Sequence, residues 1–155
     1  MQKITPCFWF NNNLEEAFNF YKSVFKDNAT INVTRVPAGP GGDVVVGDMT
    51  LFGQQFKGLE GGPLFAFNES ISFYVACDSQ EEVDYYWEKL TSNGGKESMC
   101  GWLKDPFGVS WQITPTKMFK FIGDKDREKA KRAMDAMMTM KKIDLKKIED
   151  AFNGK

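Results

Sequence analysis

The chain has 155 residues, 42% hydrophobic and 26% charged, a composition typical of one soluble globular domain. Its net charge of −1 gives no basic surplus to neutralise phosphates, which argues against a nucleic-acid partner. The chain contains no histidine, so Ser-His-Asp catalysis, Cys-His catalysis and every histidine metal site are excluded.

The absence of targeting segments predicts a cytoplasmic protein. The N-terminus lacks the apolar region of a signal peptide, and no apolar run approaches the roughly 20 residues of a membrane span. The three cysteines, Cys7, Cys77 and Cys100, are odd in number and lack a C-x-x-C spacing. We therefore expect reduced thiols, buried and inert at Cys7 and Cys100, and no membrane contact.

The first part of the chain predicts a strand followed by a helix. Residues 4–10 are short, apolar and aromatic, and Asn13 with Glu16 matches a capping box at the start of a helix. Helical spacing then predicts one buried face made of Leu14, Ala17, Phe18, Tyr21, Val24 and Phe25. Three strand-like segments follow, at 29–36, 44–52 and 54–60. The Pro/Gly-rich loop 37–43 between the first two is either a mobile lid or a long hairpin loop.

The second part repeats this order. Residues 71–77 predict a strand, and Ser79 with Glu82 predicts a second capped helix. Strand-like segments at 98–104 and 108–114 follow it, on either side of a tight turn. Glu15-Glu16-Ala17 and Glu81-Glu82-Val83 superpose at an offset of 66 residues, which indicates internal duplication. Each half is therefore predicted to be βαβββ.

The remaining residues predict a helical tail. A charged helix over 124–142 carries an apolar, methionine-rich side, and Asp144 can cap a last short helix. The sequence thus predicts a single domain over 1–155, made of module one (1–62), module two (63–118) and C-terminal helices (124–153).

Three stretches resemble a known family: residues 3–10 (KITPCFWF), 71–87 (ISFYVACDSQEEVDYYW) and 101–115 (GWLKDPFGVSWQITP). They are similar to the PhnB-like, or 3-demethylubiquinone-9 3-methyltransferase-like, branch of the vicinal-oxygen-chelate superfamily. That superfamily includes glyoxalase I and the extradiol dioxygenases. The resemblance implies an α+β fold, with two βαβββ modules forming a curled mixed sheet around a cavity, usually within a homodimer. The tail at 133–145 also resembles this branch.

Metal-dependent members of the superfamily carry four ligands, two in each module. The resemblance places these positions at Thr5, at one residue near 57–60, at Ser70 and at Gln112. Ser and Gln are neutral, weak ligands, whereas catalytic metals of this class need imidazole or carboxylate donors. Since Glu60 alone does not make a site, we expect no tightly bound transition metal and no cofactor.

Strand alternation gives an independent prediction of the cavity wall, because successive side chains point to opposite faces. The small and polar residues fall on one face, and the apolar residues Ile4, Phe8, Phe10, Ile71, Phe73, Val75, Val109, Trp111 and Ile113 fall on the helix side. The ligand-binding candidates are Thr5, Cys7, Trp9, Glu60, Ser70, Ser72, Tyr74, Trp102, Ser110 and Gln112. Their alternative role is to bond one another and water, and no catalytic residue is assigned.

We expect such a cavity to bind a small organic molecule, aromatic or quinone-like, without a metal. The alternative is an enzyme, either the methyltransferase of the family label or a glyoxalase-like lyase or isomerase with Glu60 or Tyr74 as acid–base. The chain lacks the G-x-G-x-x-G strand-to-helix turn of a conventional S-adenosylmethionine enzyme. A third interpretation is a catalytically silent dimeric domain that interacts through its tail.

Overall fold

The computed structural model describes residues 2–37 and 41–155. Residues 38–40 of the predicted loop 37–43 lie outside the described residues. The chain forms two compact units, residues 1–67 and 68–155. Each contains one open, four-stranded mixed sheet, which confirms the predicted α+β fold of two βαβββ modules. Within the described residues, no helix is both long and apolar enough to cross a membrane.

The first unit places its strands in the order β1-β4-β3-β2, with β1 parallel to β4 and the other pairs antiparallel. Its elements are β1 (Cys7–Phe10), α1 (Leu14–Phe25), β2 (Ala29–Pro37), β3 (Asp43–Leu51) and β4 (Gln54–Glu60). Consecutive strands β2, β3 and β4 form a meander, and the first strand joins its end.

Helix α1 packs on one face of this sheet. Its buried residues are those that helical spacing predicts: Leu14, Ala17, Phe18, Tyr21, Val24 and Phe25. Two glycines of the sheet lie directly beneath the helix, because a side chain at Gly47 or Gly58 would come within 2.7 or 2.9 Å of the Phe18 ring. These glycines therefore let the helix and the sheet approach closely.

The second unit repeats the topology in the order β5-β8-β7-β6, with β5 parallel to β8. Its sheet and covering helix are β5 (Ser72–Cys77), α2 (Gln80–Thr91), β6 (Lys96–Glu97), β7 (Trp102–Lys104) and β8 (Ser110–Pro115). The tail adds α3 (Phe119–Ile122), α4 (Arg127–Met138) and α5 (Leu145–Phe152). The predicted cap of α2 is confirmed: Ser79 Oγ accepts a hydrogen bond from Glu82 N at 3.3 Å.

Several predicted elements are shorter in the structure. The strand predicted over 4–10 starts only at Cys7, and Ile4 is 87% exposed. Ile71 precedes β5 and is 72% exposed. The predicted packing of both residues on the helices is therefore wrong, because each lies before the first paired residue of its strand. The strand predicted over 98–104 is limited to β7, and the helix predicted over 124–142 is limited to α4.

The turn between β7 and β8 is organised by the side chain of Asp105, which is 3% exposed. Its Oδ1 accepts hydrogen bonds from the backbone N–H groups of Phe107 (2.9 Å) and Val109 (3.0 Å). Its Oδ2 accepts one from the indole N–H of Trp111 at 2.9 Å. One carboxyl group thus shapes the predicted tight turn and ties it to β8.

The tail packs on the second unit around a core of Met118, Ala133, Met137, Ile143 and Ile148. The segment between α4 and α5 is held against the rest of the unit by backbone contacts. Met140 O and Lys141 O accept hydrogen bonds from Cys100 N and Gly101 N, each at 2.7 Å. These bonds connect the tail to the turn that precedes β7.

Gln80, at the start of α2, also bonds the segment between α4 and α5. Its Nε2 donates to Ile143 O at 3.0 Å, and its Oε1 accepts from Leu145 N at 2.9 Å. A single amide therefore satisfies one acceptor and one donor of the tail backbone.

We predict that Asp105→Asn lowers the free energy of unfolding by about 1–3 kcal/mol, because the asparagine amide nitrogen cannot accept the Trp111 N–H hydrogen bond. Urea denaturation measures the loss. Combining the change with Trp111→Phe, which removes that N–H, should cost less than the two single changes added together. A double variant whose loss equals their sum would contradict the role assigned to this contact.

For the tail, we predict that Gln80→Ala increases the rate of trypsin cleavage after Lys141 or Lys142 several-fold. The substitution removes two hydrogen bonds, so local opening of the segment becomes easier by about 1–2 kcal/mol. Gln54→Ala, at an exposed position of β4, is the matched control and should leave the cleavage rate unchanged. Equal cleavage of the two variants would contradict the prediction.

Candidate functional site

Three sequence-predicted candidates form one row across the second sheet. Tyr74 on β5 pairs with Gln112 on β8, and Gln112 pairs with Trp102 on β7. Paired residues of neighbouring strands share a face. An amide therefore lies between two aromatic side chains, and Tyr74 is 49% exposed.

A second row lies beside the first on the same face. Ser72 pairs with Ser110, and Ser110 pairs with Lys104. The two rows are connected because Gln112 Nε2 donates a hydrogen bond to Ser72 Oγ at 2.8 Å. The Ser110 side chain is buried, and its Oγ donates to Asn68 O at 3.4 Å.

The opposite face of this sheet is apolar and packs on α2. Leu103, Trp111 and Ile113 are buried there, and Phe73 contacts the Trp111 ring with centroids 5.4 Å apart. The polar rows therefore lie on the face that strand alternation predicts, and the helix covers the other one.

Ser70 lies just before β5, outside both rows. Its Oγ donates to Asn68 Oδ1 at 2.6 Å, in a local turn that also bonds the Ser70 N–H to the same oxygen at 3.0 Å. The Ser70 hydroxyl therefore stabilises the turn that precedes β5.

The candidates of the first unit lie on its own sheet. Cys7 and Trp9 alternate along β1 and share the face opposite α1, whereas Thr5 precedes the strand. The Trp9 indole N–H donates to Gly62 O at 2.9 Å, and its ring contacts that of Phe65 with centroids 5.0 Å apart. Trp9 is thus engaged by the segment that follows β4.

Glu60 lies on the other face of the first sheet, opposite Phe10 in register. Its Oε1 accepts a hydrogen bond from Leu14 N, the first residue of α1, at 2.9 Å. Within the described residues, the Asn13 side chain makes no capping hydrogen bond, so the predicted cap by Asn13 is wrong. A carboxylate suits this place because a helix N-terminus presents unpaired N–H groups and partial positive charge.

The residues at the four metal-ligand positions do not fit a transition metal. Glu60 is bonded to a helix N-terminus, Ser70 donates its hydroxyl hydrogen to Asn68, and Gln112 donates an N–H to Ser72. Among residues 2–37 and 41–155, no three His, Cys, Asp or Glu side chains are grouped to hold an ion. Neutral hydroxyl and amide groups are weak donors for such metals.

The cysteines differ in exposure. Cys7 is exposed and Cys100 half-buried, so the prediction that both are buried is wrong. Cys7 lies on the sheet face that α1 does not cover, which explains its exposure. Desolvation raises the pKa of the Cys7 thiol, although the nearby Lys57 ammonium lowers it in part. Burial raises the pKa of Cys77 to about 12. Neither thiol is therefore activated as a nucleophile.

A cleft of about 240 Å³ lies on the polar face of the second sheet, near β6. It is lined by Trp102 and Ser110 and by six residues that the sequence prediction missed: Glu69, Lys96, Glu97, Ser98, Leu103 and Lys104. Alternation from Trp102 would have identified Lys104 on the same face. The sequence prediction could not place Lys96, because the predicted strand began only at residue 98. The structure pairs Lys96 on β6 with Lys104 on β7.

Comparison with known proteins agrees with this architecture. The model of the 3-demethylubiquinone-9 3-methyltransferase family matches residues 2–114. A putative 3-demethylubiquinone-9 3-methyltransferase, PhnB protein, from Bacillus cereus is 34% identical over 74% of this chain and 100% of that chain, with a TM-score of 0.65. No curated protein matches the chain.

Two further solved structures share the fold. Protein PA1353 from Pseudomonas aeruginosa is 21% identical over 72% of this chain and 95% of that chain, with a TM-score of 0.57. The fosfomycin resistance protein FosX from Listeria monocytogenes, solved with Mn(II) and sulfate, is 17% identical over 72% of this chain and 90% of that chain, with a TM-score of 0.51. Because the family model spans most of the sequence and the Bacillus protein matches over its full length, the chain belongs to the 3-demethylubiquinone-9 3-methyltransferase family, the PhnB-like branch of the vicinal-oxygen-chelate superfamily.

Proposed function

We propose that this PhnB-like protein binds a small aromatic or quinone-like molecule, without a metal, on the polar face of its second sheet. The observation that carries the proposal is the row Tyr74–Gln112–Trp102 on three adjacent strands. Neighbouring strands are about 4.8 Å apart, so the two aromatic residues are separated by roughly 10 Å with the amide between them. This spacing suits one planar ring.

The chemistry of the row supports this ligand class. Tyr and Trp offer large apolar surfaces with a polar group at one end, which favours contact with planar molecules. Gln112 uses one N–H for Ser72, and an amide has a second N–H and a carbonyl oxygen with which to orient a ligand. A few convergent polar groups beside apolar surface are typical of small-molecule sites.

An enzyme is the second candidate, because the matching family model carries a methyltransferase name. Two features of this chain weigh against a conventional S-adenosylmethionine site. The strand-to-helix turn after β1 is Asn11-Asn12-Asn13, and the one after β5 is Asp78-Ser79, so neither has the glycines that let backbone approach a cofactor. Both sheets are mixed, whereas that cofactor fold is built on a parallel sheet.

The lyase or isomerase alternative has two candidate acid–base groups. Glu60 is bonded to the N-terminus of α1, on the sheet face opposite Cys7 and Trp9. Tyr74 is exposed in the proposed binding row. Of the two, only Tyr74 shares its sheet face with Gln112, so this alternative depends on the Tyr74 hydroxyl.

We predict that benzoquinone or benzoate, at ten times its dissociation constant, raises the melting temperature by about 3–6 °C. The binding contributes about 1.4 kcal/mol, and a domain of this size gains roughly 2–4 °C per kcal/mol. Gln112→Ala should remove most of the shift. Gln54→Ala, on the other unit, should retain it. A shift that survives in Gln112→Ala would place the ligand elsewhere.

A separate prediction tests the enzyme alternative by isothermal titration calorimetry. We expect no heat of binding from S-adenosylmethionine at millimolar concentration, because the strand-to-helix turns lack glycine.

Mn(II) should likewise leave the melting temperature unchanged, since the donors at the four positions are neutral or already bonded. Saturable binding of S-adenosylmethionine would revive the methyltransferase interpretation. A Mn(II) shift lost in Gln112→Ala would restore the glyoxalase-like one.

A further inference from the structure

The cleft beside the aromatic–amide row brings two lysine residues together. Lys96 on β6 and Lys104 on β7 are directly opposite each other in an antiparallel pair. Like charges at such positions repel and destabilise the pairing. Both residues line the cleft, together with the hydroxyl-bearing Ser98 and Ser110 and with Trp102. This arrangement favours an anion that lies near both ammonium groups.

The Glu69 carboxylate already neutralises one of the two lysines. Lys104 Nζ is 2.6 Å from Glu69 Oε1. The hydrogen bond from Lys104 holds the pKa of Glu69 below its usual range, so the group is a carboxylate at neutral pH. The Glu69 side chain is 64% exposed, and exposed ion pairs contribute little to stability. Another carboxylate can therefore take its place at small cost.

The second acidic residue at the cleft does not neutralise the lysines. Glu97 Oε1 accepts a hydrogen bond from the Trp87 indole N–H at 2.9 Å, and Oε2 is 3.4 Å from Lys141 Nζ. Glu97 pairs with Leu103, whose side chain is buried on the helix side of the sheet. Its two carboxylate oxygens are thus occupied by Trp87 and Lys141, whereas Glu69 is the carboxylate paired with Lys104.

We propose that the cleft binds a monocyclic aromatic carboxylate, which replaces Glu69 on Lys104 and lays its ring against Trp102. This inference rests on the proposed function and narrows its ligand class from aromatic molecules in general to aromatic acids. Lys104 and Trp102 are two residues apart on β7, about 6.6 Å, a distance comparable to the length of such an acid. Gln112, opposite Trp102, is placed to bond a substituent on the ring.

The test compares benzoate with benzamide, its neutral isostere, by isothermal titration calorimetry at low and high salt. We expect the wild-type protein to bind benzoate at least tenfold more tightly than benzamide at low salt, with the difference shrinking as salt rises. Lys104→Met should abolish the preference while benzamide affinity stays within twofold. Glu69→Gln should tighten benzoate binding about three- to tenfold, because the competing carboxylate is removed.

Matched controls come from an exposed ion pair on α4. Lys131→Met and Asp135→Asn remove charges from a similar lysine–carboxylate pair distant in sequence from the cleft, and both should leave the benzoate preference unchanged. Equal affinity for benzoate and benzamide, or a preference that survives in Lys104→Met, overturns the inference and leaves the proposed function standing. If benzoate, benzamide and benzoquinone all fail to bind, both the inference and the proposed function are overturned.

Discussion

The parallel pairing of the first and last strands in each unit is the constraint on which the rest of the structure depends. In the second unit, β5 lies beside β8 and brings together residues 40 positions apart, such as Gln112 and Ser72. The hairpin of β7 and β8 then adds Trp102 and Lys104 to the same face. Without the parallel pair, Ser72 and Tyr74 of β5 would not lie beside Gln112.

A helix covers one face of each sheet and thereby decides which side chains are buried and which are presented on the other face. Burying Leu103, Trp111 and Ile113 against α2 leaves the alternate residues of the same strands on the other face. Because a shift of one residue in register would turn every side chain over, the apolar face also determines which polar groups are presented. Asp105 supports this register by bonding the β7–β8 turn to Trp111 on β8.

The two units reach the same topology with different local chemistry. Helix α2 is capped by its own Ser79, a contact within three residues. Helix α1 is capped by Glu60, which lies 46 residues away on β4. The carboxylate that the family resemblance placed near a metal thus holds a helix to its sheet. The tail, which lies beyond the family match ending at residue 114, is bound to the second unit through Gln80.

The sequence by itself determined the α+β fold, the duplicated modules, the helix faces and the cap at Ser79. The helix faces and the cap follow from local spacing, because amphipathic periodicity and capping are properties of neighbouring residues. The α+β fold was implied by the family resemblance, and the duplication by the repeated order of elements. Alternation also identified the face that carries Tyr74 and Gln112, and the β7–β8 register added Trp102 to it. The tertiary structure decided where pairing starts, so Ile4 and Ile71 are exposed although their periodicity favours burial. It also gave Glu60 its role as a cap and set Lys96 opposite Lys104, because strand register and partners distant in sequence are fixed only when the sheet assembles.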